Sequence, residues 1–174
     1  MPGVRARLVA AGLAWCALAA LLRPLWIVAA SAPPGRTPVA IIVNADNHAP
    51  DPSLGELRAM FGLERQFWPD GHRVVVFLPP PDSSARQVLL DRVYAMSDFE
   101  LRKYWVGKLF RGAIPSIPST LPSADAVLAA VQESAGGLSA VVADRPLPAS
   151  VRVLRIDGRS PDEAGYPLVV ERGP

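Results

Sequence analysis

The sequence predicts an α/β domain with a mostly parallel or mixed sheet flanked by helices. Half of the 174 residues are apolar, which is enough for one domain with a hydrophobic core. Short β-branched runs alternate with longer segments whose apolar residues repeat at helical spacing. Strands separated by helices are typical of α/β domains. The 19 prolines and 13 glycines are spread along the chain, as expected for the turns of a folded domain.

Residues 1–30 are predicted to be a signal peptide. Arg5 and Arg7 form a basic start, residues 8–22 are almost continuously apolar, and small residues follow at 29–32. Arg23 interrupts the apolar stretch, and burying its charge in a bilayer costs about 3 kcal/mol. Cleavage near residue 30 is therefore expected, with a retained membrane anchor as the alternative. The protein is expected in the periplasm or outside the cell.

Export changes the composition of the chain. The only cysteine, Cys16, lies in the signal segment, so no disulfide or thiolate chemistry is expected after cleavage. Cleavage also removes three of the 18 basic residues and no acidic one, leaving 15 basic against 16 acidic residues. This balance argues against nucleic acid as a partner. The two histidines have no partner at ligand spacing, so neither a metal nor a cofactor is expected.

The first half of the exported chain predicts two strands and a helix. Residues 31–38 are rich in proline and predict a flexible lead-in to a domain covering residues 39–170. Val39–Val43 is apolar at every position, as in a central strand covered on both faces. Ser53 and Glu56 predict a capping box at a helix start. A second strand is predicted over residues 73–77.

The second half predicts three more helices and two strands. Helices are expected from Ala85 to Met96, from about Asp98, and from Ser123 or Asp125. Strands follow at residues 138–142 and 151–156, the latter an edge strand because apolar and basic residues alternate. One group of side chains is expected to be buried together: Val75, Phe77, Leu89, Trp105, Leu128 and Val141.

The turn over residues 78–87, between the second strand and its helix, is the candidate binding site. A helix start leaves backbone N–H groups unpaired, and the helix dipole places positive charge there, which favours an anion. The predicted ligand groups are the Ser83 and Ser84 hydroxyls, the backbone of Ala85 and the Arg86 guanidinium. The alternative is an ordinary cap, with Ser84 bonding Gln87 and Arg86 in solvent.

A second polar turn follows the first strand. Asn44 and Asp46 stand where Val39–Val43 ends, and ligands in open α/β sheets bind at the carboxyl ends of strands. These two residues are therefore predicted to line the same crevice as the Ser83–Arg86 turn. A simple Asn/Asp turn is the alternative.

Several motifs, in order, resemble the substrate-binding proteins of phosphate ABC transporters, which are type II periplasmic binding proteins. The similarity is greatest to short, single-domain relatives. The motifs are Ser53-Leu54 with Glu56-Leu57-Arg58 and Phe61-Gly62, Trp68-Pro69-Asp70-Gly71, Ser83-Ser84-Ala85-Arg86, Tyr104-Trp105 with Phe110 and Gly112, Gly136-Gly137-Leu138-Ser139-Ala140-Val141, and Val151-Arg152-Val153-Leu154 with Asp157-Gly158, Pro161 and Tyr166-Pro167-Leu168.

The resemblance implies one lobe of such a protein and a non-enzymatic role in binding a small oxyanion, with phosphate as the candidate. The chain departs from the family at the phosphate turn, where full-length members carry Arg-x-Asp-x-Ser-Gly-Thr. Here residues 79–85 read Pro-Pro-Pro-Asp-Ser-Ser-Ala, without that arginine or threonine. Two hypotheses follow: an oxyanion-binding protein, or an interaction module that kept the fold, lost the ligand and binds an envelope or transporter protein.

Overall fold

A computed structural model describes residues 36–171, which form a six-stranded mixed sheet with helices on both faces. The predicted fold class is therefore confirmed. The predicted signal peptide lies outside the described residues. Among residues 36–171, every helix is too short or too polar to cross a bilayer.

The elements follow one another in a largely alternating order. The strands are β1 Arg36–Asn44, β2 Val75–Leu78, β3 Ser119–Thr120, β4 Gly137–Val142, β5 Val151–Val153 and β6 Val169–Glu171. The helices are α1 Leu54–Phe61, α2 Ser84–Val88, α3 Asp98–Phe110 and α4 Ala124–Glu133, and α2 continues into a π-helical stretch, Leu89–Tyr94.

Strand directions divide the sheet into two parts. The strand order is β3-β2-β4-β1-β5, with β2 parallel to β3 and to β4. Strand β1 runs antiparallel to β4 and β5, and its first residues pair with β6. The strand begins at Arg36, inside the lead-in predicted for residues 31–38, because Arg36–Pro38 pairs with Val169–Glu171.

Strand β1 is the centre of the core, as its apolar sequence predicts. Every residue from Val39 to Val43 is fully buried. Side chains alternate across a strand, so Ile41 and Val43 contact one layer of helices while Ala40 and Ile42 contact the other.

The larger layer consists of α1, α2 with its π-helical continuation, and α3. Its centre is aromatic: the ring of Tyr94 meets Phe61 and Trp105 edge to face, with centroids 6.0 and 6.2 Å apart. Such pairs add stability beyond the area they bury. The smaller layer is α4 alone, whose Val127 and Val131 pack on the opposite side of the sheet.

The predicted core is partly wrong. Val75 is 36% exposed, Phe77 and Leu128 are only half-buried, and Val76 and Leu78 point inward instead. Strand side chains alternate, so a shift of one residue in the assumed phase exchanges the two faces. Of the other residues predicted to be buried together, Leu89 and Trp105 are buried in the larger layer and Val141 in the smaller. These three side chains are therefore buried but do not share one cluster.

Local helix signals are better predicted. Ser53 and Glu56 form the capping box at α1, and Ser123, one of two predicted starts, caps α4. The helix predicted over residues 85–96 is instead α2 and the π-helical stretch, and Ala95 ends it in the left-handed conformation at φ 52°. Strand β5 is shorter than predicted, ending at Val153.

Candidate functional site

A cleft of about 390 Å³ opens at the carboxyl ends of β2 and β4. Because these two strands are parallel, both lead into loops at the same edge of the sheet. The cleft lies between the starts of α2 and α4. Its walls are mainly apolar, with Val127, Leu128, Val141 and Leu147 among them.

Two helix starts face this cleft, and both use a serine cap. Ser83 accepts a hydrogen bond from Arg86 N at 3.1 Å and donates one to Pro80 O at 2.7 Å. Ser123 accepts from Ala126 N at 3.1 Å in the same way at α4. Each cap satisfies the third N–H of its helix and leaves the first two directed away from the helix. The cleft therefore receives the positive ends of two helices.

The charges at the cleft are of both signs. Arg145 Nη2 lies 2.5 Å from Asp125 Oδ1, in an exposed ion pair. Asp144 also lines the cleft, so its polar mouth carries two carboxylates and one guanidinium. The carboxylates weaken the attraction that the two helix starts offer to an anion.

Arg86 has a different position from the one predicted. Its side chain is only 5% exposed, and Nε and Nη2 donate to Asp98 Oδ1 at 3.2 and 2.5 Å. The hydrogen bond from Arg86 lowers the pKa of the Asp98 carboxyl, and the positive charges of Arg86 and Arg102 lower it further. Arg86 is therefore neither a free ligand cation nor a solvated residue, since it joins α2 to the first residue of α3.

Ser84 lies outside the cleft as well. It is exposed and lines a separate recess with Gln87 and Glu171 of β6. The predicted capping box between Ser84 and Gln87 does not form, because Ser83 is the cap and Gln87 Nε2 bonds the carboxylate of Asp91 at 3.0 Å.

Asn44 and Asp46 lie at the opposite edge of the sheet, so the prediction that they share the crevice is wrong. Strand β1 is antiparallel to β4, which places its carboxyl end beside the amino end of β4. Asn44 Nδ2 donates to the carbonyls of Val131 and Gln132 at 3.2 and 2.7 Å. Its Oδ1 accepts from Asp46 N at 2.9 Å. Asn44 thus fastens β1 to the last turn of α4.

The cleft combines predicted and unpredicted residues. Of the six predicted ligand residues, Ser83 and Ala85 line it. Asp125, Asp144 and Arg145 were not predicted as site residues. The helix-start signal of Ser123 is visible in the sequence, but its proximity to the start of α2 depends on the pairing of β2 with β4. Arg145 lies in a loop without a motif.

No protein-family model matches this sequence, and neither does any curated protein sequence. Solved structures do match in fold. One is described as a phosphate ABC transporter substrate-binding protein from Clostridium perfringens, solved with bound phosphate. It has a TM-score of 0.58 and 14% identity, over 73% of this chain and 48% of that chain.

Two further structures are similar to the same extent. An ABC-type phosphate transport receptor from Vibrio cholerae has a TM-score of 0.59 and 14% identity, over 78% of this chain and 54% of its own. PstS from Borrelia burgdorferi has a TM-score of 0.60 and 11% identity, over 79% of this chain and 56% of its own. This chain thus matches about half the length of these proteins and has the fold of that half.

Proposed function

We propose that this chain is an exported, non-enzymatic solute-binding domain that recognises a small oxyanion in the cleft between α2 and α4. The observation that carries the proposal is the convergence of two helix starts on one cleft at the carboxyl ends of parallel strands. Phosphate is the first candidate, because a protein of similar fold was solved with it bound.

In this proposal, backbone groups supply most of the contacts. The N–H groups of Ala85 and Asp125 belong to first turns, where no intrahelical acceptor is available. Arg145 supplies the cation in place of Arg86, because its half-exposed guanidinium can leave Asp125, whereas that of Arg86 is enclosed with Asp98. The backbone of Ala85 keeps its predicted ligand role in this proposal. The Ser83 hydroxyl, predicted as a ligand, caps α2 and bonds Pro80 O instead, and Asn44, Asp46 and Ser84 have no ligand role.

The expected affinity is low. Charge-assisted hydrogen bonds contribute about 1.5–3 kcal/mol each, and Asp125 and Asp144 repel an anion at the same mouth. A few such bonds correspond to dissociation constants from about millimolar to tens of micromolar. A sensor or accessory role fits that range better than a scavenging receptor.

Calorimetry of the purified protein with phosphate and with sulfate tests the proposal. Arg145→Ala should remove most of the affinity, and Asp144→Asn should raise it because a repelling charge is lost. Arg155→Ala is the matched control, since Arg155 pairs with Glu163 and does not line the cleft. Absence of binding at millimolar anion by both the wild type and Asp144→Asn would refute oxyanion binding.

A second candidate is an interaction module that binds a protein of the envelope or of a transporter. It is favoured by the apolar walls of the cleft and by the commitment of Arg86 to Asp98. Leu128→Glu, which places a charge in the wall, should abolish co-purification of such a partner, while Arg155→Ala should not. Retention of the partner by Leu128→Glu would exclude the cleft as its binding site.

A further inference from the structure

Helix α3 carries large apolar side chains on both of its sides. Leu101 and Trp105 point into the larger layer of the core and are buried. Phe99, Val106 and Phe110 point away from it and are 64%, 42% and 86% exposed. A surface helix of a globular protein usually turns polar residues toward water. The outer side of α3 therefore needs a separate explanation.

The exposed apolar residues form a single line. Phe99, Val106 and Phe110 stand at positions i, i+7 and i+11, which fall on one side of a helix. At a rise of about 1.5 Å per residue, the line is about 16 Å long. Leu109, 40% exposed, widens it at its carboxyl end. These four residues are called the α3 stripe below.

Cations flank the α3 stripe. Arg102, Lys103 and Arg111 are exposed, and Lys103 Nζ lies 5.6 Å from the centre of the Phe99 ring. On the outer side alone, an apolar line flanked by cations is the arrangement by which interfacial helices contact anionic membranes.

The acidic groups of α3 are confined to its first turn and are engaged there. Asp98 bonds Arg86 and pairs with Arg102 at 2.7 Å. Glu100 accepts hydrogen bonds from the backbone and hydroxyl of Ser97 at 2.8 and 2.7 Å. Arg102 is therefore shared with Asp98, whereas Lys103 and Arg111 are exposed and form no ion pair among residues 36–171. These two cations give the remaining length of the outer side a positive charge, which complements an anionic surface.

We propose that the outer side of α3 docks reversibly on an anionic lipid bilayer, with the α3 stripe entering the interface and Arg102, Lys103 and Arg111 contacting headgroups. Interfacial helices bury their apolar side by about 5–10 Å, a depth that exposed phenylalanine rings reach. Membrane contact would then extend beyond the predicted signal segment.

The size of the surface favours a bilayer over a protein. A stable protein interface uses about 20–30 residues on each side. The α3 stripe and its flanking cations amount to seven residues, which is enough for weak, salt-sensitive membrane contact. The inference is independent of the proposed function, because α3 contributes no residue to the cleft.

A fluorescent probe on α3 tests this proposal with the full chain. In a Cys16→Ser background, Val106→Cys is labelled with an environment-sensitive nitrobenzoxadiazole dye, which keeps both phenylalanines. Asp162→Cys, at an exposed position of a loop remote in sequence from α3, is the matched control. A probe at 106 reports α3 locally, whatever the N-terminal segment does.

On vesicles of equal phosphatidylglycerol and phosphatidylcholine, the emission at 106 should rise severalfold and that at 162 should not. Adding 1 M salt should reverse the rise, since screening then acts within about 3 Å. Lys103→Glu with Arg111→Glu, which leave the pair between Arg102 and Asp98 intact, should raise the lipid concentration needed at least about tenfold, without changing the thermal unfolding midpoint.

Three outcomes would overturn the proposal. The first is an unchanged probe at 106 on anionic vesicles. The second is an equal rise on pure phosphatidylcholine, which would remove the role of the cations. The third is a rise with protein concentration alone, without lipid, which would assign the α3 stripe to a second copy of the chain.

Discussion

The two faces of the sheet are covered very differently. One face carries α1, α2 with its π-helical continuation, and α3, packed around Phe61, Tyr94 and Trp105. The other carries α4 alone, whose valines and alanines fill little volume. The cleft opens where α4 begins. The larger layer packs one face of the sheet with aromatic side chains, whereas the smaller layer leaves room for a ligand where α4 begins.

The difference between the layers also explains the two arginines. Arg86 belongs to the larger layer, where its side chain is buried and Asp98 neutralises it. Arg145 lines the cleft beside the smaller layer, where its partner Asp125 is exposed. Only the second arginine is placed to exchange a carboxylate for a ligand.

The largest expected effect is on the free energy of unfolding, which a substitution in the larger layer should lower more than one in the smaller layer. Trp105→Ala should reduce the free energy of unfolding by about 3–5 kcal/mol, because it empties a buried aromatic site. Leu128 lies in the smaller layer and is only half-buried, so Leu128→Ala should reduce the free energy of unfolding much less. Urea unfolding followed by circular dichroism measures both.

If Trp105→Ala reduces the free energy of unfolding no more than Leu128→Ala does, the larger layer is not the more tightly packed of the two. Trp105→Phe is a useful control, because Trp105 Nε1 is buried without a hydrogen-bond partner among the described residues. Phenylalanine removes that unpaired donor and keeps an aromatic ring, so its cost should be well below that of alanine.

The sequence predicted the parts of this fold that depend on local chemistry. The apolar run Val39–Val43 identifies the central strand, and Ser53 with Glu56 identifies a helix start, because each signal lies within a few residues. Strand and helix alternation then gives the α/β class. Local signals do not determine which side of a short strand is buried, so they do not predict that Val76 and Leu78 of β2 point inward.

Most of the candidate site depends on long-range pairing. The bond between Arg86 and Asp98 was not predicted, because Asp98 lies on the next helix and no local pattern marks that bond. The predicted position of Asn44 beside the Ser83–Arg86 turn is wrong, because the direction of β1 relative to β4 cannot be read from either strand alone. The cleft itself exists because β2 and β4 are parallel.

The second prediction concerns the enclosed arginine. Arg86→Met should reduce the free energy of unfolding by about 1.5–3 kcal/mol, the usual contribution of a hydrogen bond to a charged group. The value stays moderate because Asp98 retains Arg102 and some contact with water. The phosphate affinity of Arg86→Met should equal that of the wild type, whereas a ligand role for Arg86 requires the affinity to fall.

The pH dependence of this loss provides its check. The pKa of Asp98 is lowered in the folded protein, so the stability it contributes is present above its ordinary value of 3.8 and is lost as the pH falls through the lowered value. The difference between wild type and Arg86→Met should therefore shrink in acid. A constant difference from pH 7 to pH 2 would show that packing, not the ion pair, is responsible.

The smallest effect on stability is expected at the hydrogen bonds that join β1 to α4 in the smaller layer. Asn44→Ala removes two hydrogen bonds to the last turn of α4 and should cost about 1–3 kcal/mol, since buried carbonyls lose their donor. Asp46→Ala, at an exposed turn position that contributes only its backbone to Asn44, should stay within about 0.5 kcal/mol. Both variants should keep the phosphate affinity of the wild type, because they lie at the sheet edge opposite the cleft. Loss of binding in Asp46→Ala, measured by calorimetry at unchanged stability, would place the ligand at the β1 turn and reverse the assignment of the site.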